Sequence, residues 1–212
     1  MNKFMEMSDQ YLIDTYLPNV YQKTVFSIDF QRIRDKEISV LSFDVDDTIV
    51  PLEGYAIDKA TVTFFERLKF YGFFIWLISN NIDDKRVSHF AARLGVPYIA
   101  NAKKPRVAPF YEIITQYQRE HEGIVLQPEQ MAHIGNSMLS DVACGNIFGA
   151  TTCLVRNVGK LSKAIRMIHP EEKKLQKALE MRGIWRKHHL QESHDQYYQL
   201  NERPRYAEYQ KY

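Results

Sequence analysis

Two hydrophobic rhythms alternate along this chain. Short apolar runs rich in β-branched and aromatic residues recur at 38–43 (ISVLSF), 72–79 (GFFIWLIS), 96–100 (VPYIA), 131–135 (MAHIG) and 150–155 (ATTCLV). The stretches between them read as helices. Residues 58–70 put Val62, Phe65, Leu68 and Lys69 at roughly helical spacing. Residues 83–94 open on acids, which suit the positive end of a helix, and stop at Gly95; 107–121 and 139–148 complete the series. Strands alternating with helices predict βαβ crossovers. The expected fold is therefore α/β, a Rossmann-like three-layer sandwich around a five-stranded, mostly parallel sheet. In such sheets ligands bind beyond the carboxyl ends of the strands.

Three regions are expected on this pattern: an N-terminal extension (1–37) that packs on the core without clear periodicity, the core itself (38–159), and a C-terminal region (160–212). The last of these predicts a helix, a break at Pro170, a second helix ending near Gly183, and then a polar, tyrosine-rich tail. Charge sharpens the division. The net charge of +2 hides 12 Lys/Arg against 7 Asp/Glu in 160–212 and 16 against 19 in the rest. A basic tail on a slightly acidic body suits a solvated helix face, with contact to nucleic acid or to a membrane periphery as the alternative. Only Cys144 and Cys153 are present, which fits a reducing compartment rather than a disulfide framework. The longest apolar run, 73–79, is too short to span a bilayer, and the first residues lack the apolar core of a secretory leader. A cytoplasmic protein without a transmembrane segment is expected.

The chemistry sits where the strands end. The first run leads into FDVDDTIVP, three acids within four positions, and clustered carboxylates are costly unless their charge is compensated. Alone, Asp-Asp-Thr also reads as a polar turn or helix cap. The other strand ends weigh against that reading. Ser79, Asn80 and Asn81 follow the second run, Lys103, Lys104 and Pro105 the third, and Asn136 and Asp141 the fourth. A parallel sheet sets these tips side by side, so acids, hydroxyls and a lysine converge on one pocket.

YLPNVYQKTVFSID, FDVDDTIVP, ISNN, RLGVPYIANAKKP and IGNSMLSDVACGNIFGATTCLV resemble the haloacid dehalogenase (HAD) superfamily of phosphohydrolases, whose first motif is DxDxT. More narrowly they resemble its class IIIA group, which includes the YqeG-type proteins and the mitochondrial phosphatidylglycerophosphate phosphatase. The resemblance spans about residues 15–157. It implies an Mg²⁺-dependent phosphomonoester hydrolase in which Asp44 is the nucleophile and Asp46 the general acid and base. Thr48, Ser79 and Asn80 would bind the phosphoryl group. Lys104 would neutralise it, with Lys103 the less favoured alternative. Mg²⁺ would be held by Asp44, the main-chain carbonyl of Asp46, Asn136 and Asp141. Asp47 occupies a variable position and is expected to be structural.

One departure matters: Gly135-Asn136 stands where the group has Gly-Asp, which predicts weaker metal binding. The intervals between Thr48, Ser79 and Lys103 hold one helix and one strand each, too little for an inserted cap domain. An open site suits a large phosphorylated substrate, lipid or macromolecular. A second reading is a catalytically weakened binding or scaffold protein whose tail engages nucleic acid or protein, with Tyr197, Tyr198, Tyr206, Tyr209 and Tyr212 available for stacking. His188, His189 and His194 lack the spacing of a zinc site. His133 is expected in or just behind the core, and Cys144 as a packing residue.

Overall fold

The computed structural model describes residues 2–156, 158 and 163–185. The polar tail lies outside the described residues, and with it the expectations attached to His188, His189, His194, Tyr197, Tyr198, Tyr206, Tyr209 and Tyr212.

Six strands form one parallel sheet: β1 (Val20–Gln22), β2 (Val40–Phe43), β3 (Phe74–Ile78), β4 (Tyr98–Ile99), β5 (Met131–Gly135) and β6 (Thr151–Val155), in the order β1-β6-β5-β2-β3-β4. This corrects the expected five. The extra strand, β1, comes from the N-terminal extension and pairs Val20 with Cys153, Tyr21 with Leu154 and Gln22 with Val155. Three residues are too few to show a period of two, so no pattern in the sequence marks it.

Side chains alternate across the sheet. Leu41, Phe43, Ile75 and Leu77 pack on one face with α2 (Phe30–Asp35), α3 (Lys59–Phe70) and α4 (Asp84–Leu94). Val40, Trp76, Ile78 and Met131 pack on the other with α5 (Ala108–Glu120) and α6 (Ala143–Phe148). Local signals set the helix ends. Asp58 caps α3 by accepting the Thr61 N–H at 2.6 Å, Asp83 caps α4, and Gly95 closes α4 at a φ of 62°.

A third core joins the N-terminal residues to the last described helix. Phe4, Leu12 of α1 (Asp9–Tyr16), Tyr21, Met138, Val142 and Leu154 bury against Leu175, Ala178 and Leu179 of α7 (Lys163–Met181) and against Trp185. The break expected at Pro170 does not occur: α7 runs through it as one helix, ahead of Gly183 at a φ of 69°. One lost hydrogen bond is tolerated where a stripe at i, i+3 and i+4 is fully buried downstream. Arg182 binds Asp9 and the Met5 carbonyl, and Asn2 donates to the Lys174 carbonyl at 2.9 Å, tying α7 to the N-terminus. Among the described residues no helix is long and apolar enough to cross a membrane.

The topology places the site. From β2 the chain moves outward through β3 and β4, then returns to β5 on the other side of β2 and continues to β6. The order reverses between β2 and β5, and the crevice beyond their carboxyl ends is where such a sheet takes a ligand.

Candidate active site

Asp44 leaves β2 at that crevice, held in line by its own N–H on the Ile134 carbonyl at 2.8 Å. Its carboxylate is nearly buried. Thr48, one turn on, donates to Oδ2 at 2.9 Å, and Lys104 Nζ lies 2.8 Å from Oδ1. The same ammonium donates to the Ile78 carbonyl at the end of β3 and stands 2.6 Å from Asp141 Oδ1. One buried cation thus links the ends of three strands. Lys103 is exposed on the neighbouring turn, so the lysine that reaches the crevice is Lys104.

Burial works against each of these charges, and the neighbours decide which survive. Burial pushes Asp44 up to about 7, with Lys104 pulling it back and Asp141 adding to the rise. Burial opposes charge on Asp141 as well, yet Lys104 and His133 hold it well below the usual carboxylate range. Lys104 is held above the ordinary ammonium value: Asp141 and Asp44 overcome its desolvation. His133, in β5, is pushed down by burial and stands behind the cluster as a neutral ring, with Nδ1 2.9 Å from the Ser42 hydroxyl and Nε2 3.5 Å from Asp141.

Asp141 reaches the crevice by folding back over Gly135. A Cβ there would lie 2.2 Å from the Asp141 Cγ, so only glycine fits. The return is made by a wide π-turn, Met138–Val142, where a plain α-helix was expected to begin. The Ser137 N–H donates to Asp141 Oδ2 at 3.0 Å and Ser140 N–H to the Ser137 hydroxyl at 3.2 Å.

Asp46 has partners of its own. Its Oδ1 accepts from Arg86 Nε at 2.9 Å, with Arg86 Nη2 at 2.8 Å, and its Oδ2 accepts from Asn81 Nδ2 at 2.8 Å. Arg86 also donates to the Pro51 and Gly54 carbonyls and lies over the ring of Phe90, 4.9 Å from its centroid. A buried guanidinium on α4 therefore fixes both the Asp46 carboxyl and the loop that follows it. Neither Arg86 nor Asn81's hold on Asp46 was expected from sequence. The only sign was a basic residue near the acidic start of a helix, which reads as an ordinary surface charge.

The other candidates are placed as follows. The Ser79 hydroxyl is buried and accepts the Asn81 N–H at 3.1 Å. Asn80 is committed to the main chain of Lys104, accepting its N–H at 2.6 Å and donating to its carbonyl at 3.1 Å. Asp47 turns the loop at a φ of 58°, its Oδ1 accepting the Leu52 N–H at 3.2 Å and its carbonyl the Val158 N–H at 2.9 Å.

These residues fit a hard divalent cation. Asp44, Asp141, the Asn136 side chain and the Asp46 carbonyl are all oxygen donors, the kind Mg²⁺ takes with waters completing its shell. Asp46's carboxylate is engaged by Arg86 and Asn81. Its main-chain carbonyl and the Asn136 side chain have no hydrogen-bond partner among the described residues. Those residues include no cluster of three His, Cys, Asp or Glu that could hold a metal alone, so such a site relies on the amide and main-chain oxygens.

Residues 8–159 match the family of sequences described as mitochondrial PGP phosphatase. The probable phosphatase YqeG of Bacillus subtilis is 27% identical over 169 residues, covering 79% of this chain and 94% of that protein. Solved structures with weaker likeness include the cobalt-bound deoxy-D-mannose-octulosonate 8-phosphate phosphatase of Haemophilus influenzae, 16% identical with a TM-score of 0.42, covering 70% of this chain and 88% of that one. Another is the 3-deoxy-D-manno-octulosonate 8-phosphate phosphatase of Moraxella catarrhalis, solved with magnesium, phosphate and KDO. It is 14% identical with a TM-score of 0.41, covering 71% of this chain and 93% of that one.

Proposed function

The chain belongs to the family of mitochondrial PGP phosphatases and is a HAD-superfamily phosphatase, a phosphoric monoester hydrolase, and from that premise we propose that it acts through a phosphorylated Asp44 with Mg²⁺ as cofactor. The observation that carries the reading is Lys104 Nζ standing 2.8 Å from Asp44 and 2.6 Å from Asp141 at the ends of three strands.

The chain's own groups then divide the work. The Asp44 carboxylate forms the bond to phosphorus as the bond to the leaving oxygen breaks, and Asp46 gives that oxygen its proton. In the second half Asp46 takes a proton from water as the water oxygen bonds phosphorus, releasing phosphate and restoring Asp44. Thr48 keeps the Asp44 carboxylate in one orientation. Arg86 and Asn81 do the same for Asp46. Lys104 offsets the charge gathered when a phosphate monoester meets two carboxylates, with Asp141 keeping that lysine charged and in place. Asn80, by pinning the Lys104 main chain, supports the phosphoryl pocket from behind. Asp44, the Asp46 carbonyl, Asn136 and Asp141 would hold Mg²⁺, which when bound neutralises the acids and polarises the phosphoryl oxygens.

A lipid phosphate such as phosphatidylglycerophosphate is the proposed substrate. The family description supports it, as do the connections on either side of β3, each of which among the described residues holds one helix and no inserted domain to cover the crevice. Hydrolysis of an aryl phosphate and of phosphatidylglycerophosphate in vesicles, with and without Mg²⁺, tests the reading against Asp44→Asn. Turnover that requires the metal and falls at least about a thousandfold in the variant is expected. Turnover retained by a folded Asp44→Asn protein would overturn it.

A further inference from the structure

The turn that carries Asn136 and Asp141 is held from outside the family-matched part of the chain. Glu172, on α7, reaches it with both carboxylate oxygens. Oε1 accepts the Met138 N–H at 2.5 Å, and Oε2 accepts the Leu139 N–H at 3.3 Å and the Ser137 hydroxyl at 3.2 Å. The first N–H groups of a helical turn have no partner within it, and here a side chain 34 residues away satisfies two of them. The family match stops at residue 159.

The consequences run directly into the site. Ser137, whose hydroxyl Glu172 binds, also supplies the N–H that fixes Asp141 Oδ2 and the one carbonyl that receives both the Asp141 and Val142 N–H groups. Asn136 precedes it in the chain. Met138 and Val142, on the same turn, pack into the third core against Leu175, Ala178 and Leu179, so α7 lies directly on the turn. Burial pushes Glu172 up to about 7, while the Met138 and Leu139 N–H groups and the Ser137 hydroxyl pull it back and Asp141 adds to the rise.

We propose that Glu172 is a positioning residue for the metal-binding turn: its carboxylate holds residues 137–139 so that Asn136 and Asp141 present their oxygens at the crevice. This rests on the phosphatase reading above. It gives α7 a part in positioning the turn rather than leaving it an appendage. It also accounts for how a turn with an amide at 136 in place of an acid keeps a defined geometry: the rigidity comes from behind. Outer partners of this kind commonly change metal affinity by 10–100-fold when removed.

The test is calorimetric titration of Mg²⁺ into the metal-free full chain, alongside the Mg²⁺ dependence of turnover and the melting temperature. Three variants are compared: Glu172→Gln, Glu172→Ala and Leu175→Ala. The last loosens the packing of α7 on the third core, Met138 and Val142 included, while keeping the Glu172 carboxylate. Glu172→Ala is expected to weaken Mg²⁺ binding by about tenfold or more while turnover at saturating Mg²⁺ stays within a fewfold of wild type. Glu172→Gln, which keeps one acceptor oxygen, falls between and decides the matter if the alanine variant does not fold. Leu175→Ala lowers the melting temperature with Mg²⁺ affinity unchanged. Wild-type Mg²⁺ affinity in a folded Glu172 variant overturns the proposal, as does an equal loss in Leu175→Ala, which would make the effect one of helix docking. A wild type that neither binds Mg²⁺ nor turns over any phosphate ester overturns the phosphatase reading itself, and this one with it.

Discussion

Replacing Arg86 by methionine removes the buried cation that holds Asp46. The side chains of the pair are only 6% and 15% exposed, so water replaces little of what is lost. Breaking a buried ion pair by deleting one partner costs about 3–5 kcal/mol, because the remaining charge stays desolvated. Two features place this case at the low end. Asn81 still serves Asp46 Oδ2, and the Pro51 and Gly54 carbonyls sit on an exposed loop where water can take over. A loss of about 3 kcal/mol, with a urea slope of about 2–3 kcal/mol per molar, lowers the unfolding midpoint by about 1–1.5 M. Trp76 and Trp185 are both buried and report the transition by fluorescence. A double-mutant cycle with Asp46→Asn isolates the pair, with a coupling of about 2 kcal/mol expected. Coupling below about 0.5 kcal/mol would refute the reasoning. Arg86→Lys is no rescue, since a single ammonium lacks the planar fork that meets Asp46 and two carbonyls together. Activity gives a second, independent measure. If Arg86 orients the proton donor, an alkyl phosphate with a poor leaving group loses about a hundredfold, while an activated aryl phosphate, which needs little protonation, loses only a fewfold. Equal losses on both would reduce Arg86 to a folding role.

Gly135→Ala places a Cβ against the Asp141 carboxylate and forces it away from Lys104; a stability loss of about 2–3 kcal/mol and a collapse of turnover are expected, and an unchanged melting curve would show that the close approach is not needed. Burial pushes Cys144 and Cys153 up to about 12, so both thiols stay protonated and shielded at pH 8; a thiol-specific disulfide reagent should label the native protein slowly and two thiols per chain in urea. The sign for stability follows. Folded values raised above the unfolded ones give a contribution present in full below about pH 9 and lost as pH rises toward about 12, measurable as a falling melting temperature across that window.

The parts of the fold legible in the sequence are those whose signal is local. β2, β3, β5 and β6 are runs of four or five residues, long enough to stand out against their flanks, and α3 and α4 announce themselves by Asp caps and, for α4, a closing glycine. β1 and the unbroken α7 are not legible because each depends on a distant partner: β1 on β6, and α7 on a core it shares with the N-terminal residues and the Met138–Val142 turn. The site divides along the same line. Asp44, Lys104 and Asp141 each follow a strand, and a parallel sheet brings strand ends together whatever the details. Arg86 and Glu172 lie within helices, where a charged residue is normally solvated. Their importance exists only once α4 and α7 have been folded against particular loops.

The opening acids of the DVDDT motif are tolerable because the fold supplies two buried cations for them. Asp44 and Asp141 face Lys104 and Asp46 faces Arg86, while Asp47 turns toward Leu52. With Asp44 and Asp141 both ionised, two carboxylates against Lys104 leave the crevice one negative charge in excess. On the proposed mechanism a divalent cation would offset that charge for an entering phosphate dianion. A bound Mg²⁺ would make the same crevice net positive. An aspartate at 136 would have shifted both states down by one charge, holding the metal more tightly but leaving the loaded site neutral toward phosphate. At crevice distances one charge is on the order of a few kcal/mol at a protein-like effective dielectric. On the proposed Mg²⁺ site, Asn136 would therefore shift affinity from the cation to the anion rather than simply remove function. A site so balanced gains most from a turn that needs no metal to hold its shape, which is the part the geometry gives to Glu172.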